Sequence, residues 1–416
     1  MQAAQAIATS RPKTTVSYHA ERPWDGWLLL AVCALLGIGV VMVYSSSAVT
    51  ASWAVGDSAY YLKRQLLYMI LGFFTLAAGL KIDYRWYQRL IYPILFATIA
   101  LLIVVAFWGT TVGGATRWIR IGVFNFQPAE IAKISMVLVL AYSVAKKQDK
   151  ITSFTVGLIP HFLIVGFVIG LLLLQPDFGT SIIIAALMFV ILFVAGTRLS
   201  YILAAIVLGG IGAWQLIINS EYRLKRVMAF LDPWSHQGDI AYQVTESMIS
   251  IGSGGVTGQG LGEGLGKLGF VPEFHTDFIG SAICEELGFV GAVGLLALYA
   301  IVVWRGILIA IRAKDGFGRY VALGLSTLIG MQASINLGVI SGLLPTKGLT
   351  LPFVSFGGSS MICCMFAIGV LLNISRCADD AYAKRRKSKL KEEEQLRWER
   401  KRERIMQRRK QERASI

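Results

Sequence analysis

The sequence predicts an all-α polytopic membrane protein of about ten transmembrane helices, with both termini cytoplasmic and one large extracytoplasmic loop. Three observations carry this. Long stretches lack charge altogether: Trp27 to Tyr44 is unbroken and Leu199 to Ile218 nearly so. Crossing the hydrocarbon core takes roughly 20 such residues as a helix. Of the 416 residues, 55% are hydrophobic and only 16% charged, against about a quarter charged in soluble domains. Finally, Lys and Arg gather at alternate exits from the apolar runs, as they do on the cytoplasmic side of membrane proteins.

In chain order the apolar spans are 26–45, 64–80, 91–109, 127–145, 156–174, 178–196, 199–218, 278–304, 320–344 and 357–375. The fourth carries charges and the ninth is interrupted by Gly and polar residues. The first is longer than the roughly 7–15 residue core of a signal peptide. It follows a polar segment, so an uncleaved helix is expected, although Ser45 to Ser52 is rich in small residues. Lys81, Arg85 and Arg89 follow the second span, Lys146, Lys147 and Lys150 the fourth, and Arg198 the sixth. Arg305, Arg312, Lys314 and Arg319 follow the eighth, and the segment after Arg376 is strongly basic. An even number of spans then leaves both ends in the cytoplasm. The chain divides into a cytoplasmic segment 1–25, a membrane domain 26–375 containing the outer loop 219–277, and a basic tail 376–416.

The net charge is +15, of which the tail supplies +8 (16 basic residues against 8 acidic). Nucleic-acid binding is one reading of such a tail. A juxtamembrane segment beside anionic headgroups explains it more simply, because each cation there gains about 1 kcal/mol. Glu392 to Glu394 ahead of Arg and Lys also suits a solvated helix with i,i+4 pairs. The five cysteines, Cys33, Cys284, Cys363, Cys364 and Cys377, avoid the outer loops, so no disulfide framework is expected. No His/Cys cluster has zinc spacing, no organic cofactor is implied, and a Mg or Mn ion is left open.

Ionisable residues inside a membrane are costly and therefore informative. Glu130 and Lys133 are three apart on one helix face, as a self-neutralising pair or the wall of a polar cavity. Asp177, in Gln175-Pro176-Asp177, either caps the next helix or faces a ligand. Glu285 and Glu286 lie inside the eighth span, Glu285 about 12 Å deeper than Asp277. They either bond neighbouring helices or meet a ligand. The long loop holds Arg223, Lys225 and Arg226, then nine glycines between Gly252 and Gly269. Gly264 to Gly269 spells G-x-G-x-x-G, but no strand pattern precedes it and Pro272 follows, so a dinucleotide fold is excluded. What those glycines supply is close backbone approach and exposed N–H groups. A second outer loop, Leu344 to Ser360, carries Lys347, two prolines and Gly357-Gly358, with Ser359 or Ser360 placed to cap the last helix.

Gln127-Pro128-Ala129-Glu130, Gln175-Pro176-Asp177, Pro272 to Phe278, Glu285-Glu286-Leu287-Gly288 and the Pro345–Ser360 block occur in the order seen in SEDS proteins. The resemblance covers residues 26–375, and Thr346 to Thr350 is more similar to the division-specific branch than to the elongation-specific one. It departs in detail at Ala241, Glu246 and Phe356. It implies a peptidoglycan glycosyltransferase that polymerises lipid II into β-1,4 glycan strands at the outer face of the bacterial cytoplasmic membrane, at the division septum. It also implies partners: lipid II and the growing strand, a class B penicillin-binding transpeptidase, division-complex regulators and membrane lipids, with no nucleic acid. Asp277 coincides with the family's catalytic aspartate. Glu130, Lys133, Asp177, Arg223, Arg226, His275, Glu285, Glu286, Lys347, Ser355, Gly357, Gly358 and Ser359 are the expected substrate-binding set.

The chemistry suits those residues. An α-linked lipid pyrophosphate donor joined to a β-1,4 product inverts the anomeric carbon, so one in-line displacement and one general base suffice. Such a base contributes about 10²–10⁴-fold. Two other classes are open: a lipid II flippase using the intramembrane carboxylates, and a non-catalytic division scaffold using the basic tail.

Overall fold

The computed structural model describes residues 24–112, 115–122, 124–238, 241–268, 274–346 and 348–378. The segment 1–23, Lys347 and the tail from 379 lie outside the described residues, and with them the tail helix and its ion pairs. Every predicted span coincides with a helix. In order these are α1 (Gly26–Val55), α2 (Tyr60–Lys81), the short α3 (Tyr84–Arg89), α4 (Ile91–Trp108), α5 (Pro128–Lys146) and α6 (Ile159–Leu174). They continue with α7 (Phe178–Val194), α8 (Leu199–Ile218), α9 (Glu221–Leu231), α10 (Tyr242–Ser253), α11 (Ile279–Arg312), α12 (Gly316–Ile340) and α13 (Gly358–Ala378).

Seven of the described helices are long and apolar enough to cross a membrane: α1, α4, α5, α6 with the π-turn Phe154–Leu158 before it, α11, α12 and α13. α7 and the apolar part of α8 are shorter, and α2 opens on Lys63, Arg64 and Gln65.

The core is built on α5 and α12, which pack on each other and, respectively, on α4 and α11; α1 closes against α11. α5 is buried on nearly every face, so the charged start of this helix sits inside protein rather than lipid. α13 packs on α2 where Gly79 faces the Phe366 carbonyl; a Cβ there would come within 2.9 Å of that oxygen. Small residues that let membrane helices approach to backbone contact gain dispersion where no hydrophobic drive exists.

One end of the bundle, where the Lys and Arg cluster, is fastened by charged caps. Asp25 accepts from Leu28 N–H at the start of α1 and receives the Arg305 guanidinium at 2.6 Å. Asp315 accepts from Gly318 N–H at the start of α12 and from the Tyr84 hydroxyl at 2.6 Å. Burial and the neighbouring Asp315 push the Tyr84 phenol well above its ordinary value. All five cysteines are free, and Cys363 and Cys364 are buried.

One feature adds to the all-α expectation. Between α4 and α5, β1 (Thr110–Val112), β2 (Ala115–Ile121) and β3 (Phe124–Phe126) form an antiparallel three-stranded sheet in the order β1-β2-β3. Its Thr, Ile, Trp and Phe residues are strand formers, and it was too short to stand out beside twenty-residue apolar runs.

Candidate active site

Asp277 stands in a turn just before α11, pinned by the buried rings of Phe274 and Phe278. Its main-chain carbonyl accepts from Asn336 Nδ2 at 2.7 Å, and the same nitrogen donates to Leu349 O at 2.6 Å. Two residues earlier, His275 O accepts from Phe356 N at 3.0 Å. The His275 ring lies 4.3 Å from that of Tyr61, and Phe356 packs edge-on against Tyr61. On Gly348, a Cβ would sit 3.2 Å from Asp277 Oδ2. Segments about seventy residues apart in sequence thus become one half-exposed surface at the end of the bundle opposite Arg305. Lys347 lies outside the described residues, but a side chain added at its neighbour Gly348 would meet the Asp277 carboxylate.

The loop that supplies this surface is a plug rather than a flap. Leu349, Leu351, Phe353 and Val354 are buried. Phe353 holds φ +68°, a left-handed conformation uncommon outside glycine. The buried hydroxyl of Ser355, one of the expected substrate-binding residues, accepts from Leu351 N–H at 2.8 Å and closes the turn. Gly357 packs on Thr350, and Gly358 on the Tyr68 ring so closely that no side chain would fit. Ser359 does not cap its own helix. It accepts from Gln127 N at 3.0 Å and donates to Asn125 O at 3.1 Å, fastening α13 to the start of α5.

Two further motifs take their structural alternatives. Lys133 Nζ and Glu130 Oε1 are 2.8 Å apart with both side chains buried, a pair neutralising itself inside the core. Asp177 caps α7, accepting from Thr180 N–H at 3.2 Å and the Thr180 hydroxyl at 2.9 Å. The Gln175-Pro176 carbonyls receive the guanidinium of Arg117 from β2, a contact invisible without the sheet. Gly179 then lies against Leu349, so this turn braces the plug loop from below.

The straight-through reading of α11 needs correction. At Gly288 the backbone turns to φ 64°, ψ −160°, and the helix is broken. The glycine-rich segment threads into the break. Gln259 N and Gly260 N donate to Glu285 O and Glu286 O at 3.0 and 3.1 Å, while Phe289 N and Val290 N donate to Gly255 O and Val256 O at 3.0 and 3.2 Å. Four main-chain groups at the kink, which would otherwise be stranded at membrane depth, are satisfied this way. Only glycine permits it: a Cβ on Gly258 would overlap the Glu286 carbonyl. The carboxylates are used likewise. Glu285 Oε1 accepts from Leu265 N at 2.7 Å and Gly266 N at 3.2 Å. Glu286 accepts from the Ser45 hydroxyl of α1 at 2.6 Å, with Lys267 Nζ at 4.0 Å. The Glu285 carboxylate therefore holds the glycine tract, and that of Glu286 ties α11 to Ser45 of α1.

Of the expected cations, Arg226 on α9 lines a groove with Phe230, Ala241, Val244, Leu344 and Thr346. That brings it to the loop whose next described residue, Gly348, meets Asp277. Arg223 lies on the same helix, three residues before Arg226. Asn336 and Tyr61 belong to the site but were not singled out in the sequence. The signal for Asn336 was an amide inside a span noted only as interrupted by polar residues. Among the described residues no group of three or more His, Cys, Asp or Glu is disposed to hold a metal ion. No step below is routed through a metal.

The family model FTSW_RODA_SPOVE, described as Cell cycle protein, matches residues 26–380. Among curated relatives, the chain is 44% identical over 354 residues to the "Probable peptidoglycan glycosyltransferase FtsW" of Geobacter metallireducens, covering 85% of this chain and 94% of that one. It is 38% identical over 355 residues to the "Stage V sporulation protein E" of Bacillus subtilis, covering 85% and 97%. Among solved structures, the fold is similar to a chain from a study entitled "Structural coordination of polymerization and crosslinking by a peptidoglycan synthase complex". The TM-score is 0.73 and the identity 29%, with 85% of this chain and 98% of that one covered. The rod-shape-determining protein RodA of Thermus thermophilus gives a TM-score of 0.64 at 29% identity, covering 85% and 97%.

Proposed function

This chain belongs to the FtsW/RodA/SpoVE family of cell cycle proteins, and from that premise we propose that it is a peptidoglycan glycosyltransferase that polymerises lipid II. The observation that carries the mechanistic reading is the meeting of the Asp277 carboxylate with the Gly348 loop at one end of the bundle. The basic exits of the helices assign that end to the outer face of the membrane, where the sugar of a lipid-linked precursor is presented.

The reaction follows from that placement. The acceptor sugar hydroxyl attacks the anomeric carbon of the donor opposite the pyrophosphate. Asp277 takes the hydroxyl proton as the new C–O bond forms, and the lipid pyrophosphate leaves with the bonding pair. Negative charge on the departing group is met by Arg226, by Arg223 on the same helix, and by Lys347 beside Gly348. Inversion at one carbon makes a single carboxylate sufficient. Glu130, Lys133, Asp177, Ser355 and Ser359 support this surface through the packing described above rather than by touching substrate.

The protein is a multi-pass protein of the bacterial inner membrane. Its work at the septum, its pairing with a class B penicillin-binding transpeptidase, and a cytoplasmic tail free for recruitment are parts of the same proposal. The division of the chain into 1–25, 26–375 and 376–416 belongs to it too. The decisive experiment measures glycan strands formed from lipid II by purified wild type and Asp277→Asn, each with and without the transpeptidase. Loss of polymer in a folded Asp277→Asn protein is expected; retained polymerisation removes Asp277 from the mechanism.

A flippase reading draws on the broken α11, since carriers build substrate sites at helix breaks. Here the break is filled by the chain's own backbone; Glu285 Oε1 accepts two N–H groups and Glu286 the Ser45 hydroxyl, while Glu285 Oε2 is buried with no hydrogen-bond partner. Lipid II movement between leaflets of proteoliposomes, abolished by Glu286→Gln, would revive it.

A further inference from the structure

Asn336 is 2% exposed, near the end of α12. A buried amide inside an apolar helix is expensive unless its polar atoms are paired. Asn336 is paired on one half only. Its nitrogen gives one hydrogen to Asp277 O and one to Leu349 O, while its Oδ1 is buried with no hydrogen-bond partner. An amide kept for stability alone would gain from satisfying both halves, because an unmet buried acceptor is costly. This one is oriented wholly by what its NH₂ holds.

What it holds are two segments distant in sequence: the turn bearing Asp277 and the loop bearing Gly348. The second tie between them, Phe356 N to His275 O at 3.0 Å, comes from the other side. The Asp277 turn is thus gripped by its carbonyls at 275 and 277, which fixes the backbone from which the carboxylate projects. Leu349 O is one peptide from Gly348, whose Cβ position is 3.2 Å from Asp277 Oδ2. No other side chain of this size could do the same. Asp has no hydrogens to give, Leu has the shape without the donors, and Gln adds a methylene that pushes both segments away.

We propose that Asn336 is a positioning residue for glycan polymerisation, its single NH₂ setting the gap between Asp277 and the loop that carries Lys347. The inference rests on Asp277 being the general base. It places Asn336 outside contact with the reacting atoms, acting through both segments at once. Displacing a catalytic group by about 1 Å costs on the order of 100-fold.

The test is steady-state polymerisation of lipid II by the full chain with its transpeptidase, for wild type, Asp277→Asn, Asn336→Leu and Gly348→Ala, with thermal unfolding recorded for each. Asn336→Leu is expected to lower kcat about 10–100-fold with KM for lipid II within about two-fold, and to shift the acid limb of the kcat–pH profile that the base controls. A side chain serving only stability would lower the unfolding temperature and leave that limb in place. Gly348→Ala presses on the same gap from the other side without touching Asn336, and is expected to reproduce the kcat loss. It keeps the inference testable should Asn336→Leu not fold. An inactive wild type would overturn the proposed function, and an active Asp277→Asn the role of Asp277. Wild-type kcat and pH profile in folded Asn336→Leu or Gly348→Ala, with Asp277→Asn dead, would overturn this inference alone.

Discussion

Asp277 and Glu285 are eight residues apart on one stretch of chain, both carboxylates, yet the fold uses them in opposite ways. Glu285 is held by its side chain: two N–H groups of the glycine tract bind its carboxylate, which becomes part of the packing. Asp277 is held by its main chain through Asn336, and its carboxylate projects onto a surface shared with Gly348. A charge inside a membrane protein is therefore a weak sign of chemistry until its partners are known. Backbone amides on a carboxylate mark a fastening; a carboxylate steered through its own carbonyl marks a tool.

The isosteric amides break the comparison most sharply. Asp277→Asn keeps shape and cannot accept the proton, so polymerisation should fall by the general-base contribution of about 10²–10⁴-fold with little change in unfolding temperature. Glu285→Gln still offers an oxygen to Leu265 and Gly266, and should keep most of its activity in the same assay. Equal losses in both variants would erase the distinction.

Next in size is the buried pair. Lys133→Met leaves Glu130 without its partner in the core and should cost about 3–5 kcal/mol in unfolding free energy. Adding Glu130→Gln should restore part of it; no restoration would mean the charges serve the site rather than each other.

Gly258→Ala drives a methyl into the Glu286 carbonyl at a left-handed position. A loss of about 1–3 kcal/mol is expected, with faster hydrogen exchange at Phe289 and Val290 as the plugged break opens. Unchanged exchange there would show that the glycine tract does not secure α11.

The smallest effect lies at the opposite end of the bundle. Tyr84 donates to Asp315, and its phenol is raised above the ordinary value near 10. A raised pKa gives stability that is whole below the unfolded value and lost as pH climbs through the folded one. Wild type should therefore lose unfolding temperature above about pH 10 more steeply than Tyr84→Phe, which at neutral pH should be weaker by about 1 kcal/mol.

The helices were legible because apolar run length is a local property: all ten predicted spans coincide with helices, although α1 and α11 run on ten and eight residues past the predicted ends at 45 and 304. The three-stranded sheet was not, since its strands of three to seven residues give a short and ambiguous pattern. Among site residues, Asp277 stood out through its motif, whereas Asn336 and Tyr61 look ordinary until the chain folds. For Glu285, Glu286, Ser355 and Ser359 the sequence displays a polar atom without the distant group it meets.

By itself, the sequence determined what depends on solvent and on local order. Charge-free runs must be helical in lipid because every backbone group needs an internal partner, and the Lys and Arg bias sets which end faces the cytoplasm. Only the tertiary structure decided which part of each acidic residue is fastened, the side chain of Glu285 and the main chain of Asp277. That depends on backbone N–H groups about twenty to eighty residues away in the chain, those of the glycine tract for Glu285 and that of Phe356 for the Asp277 turn, with the Asn336 side-chain amide beside it. Such donors exist in every residue of the sequence and acquire an address only when distant segments are packed together.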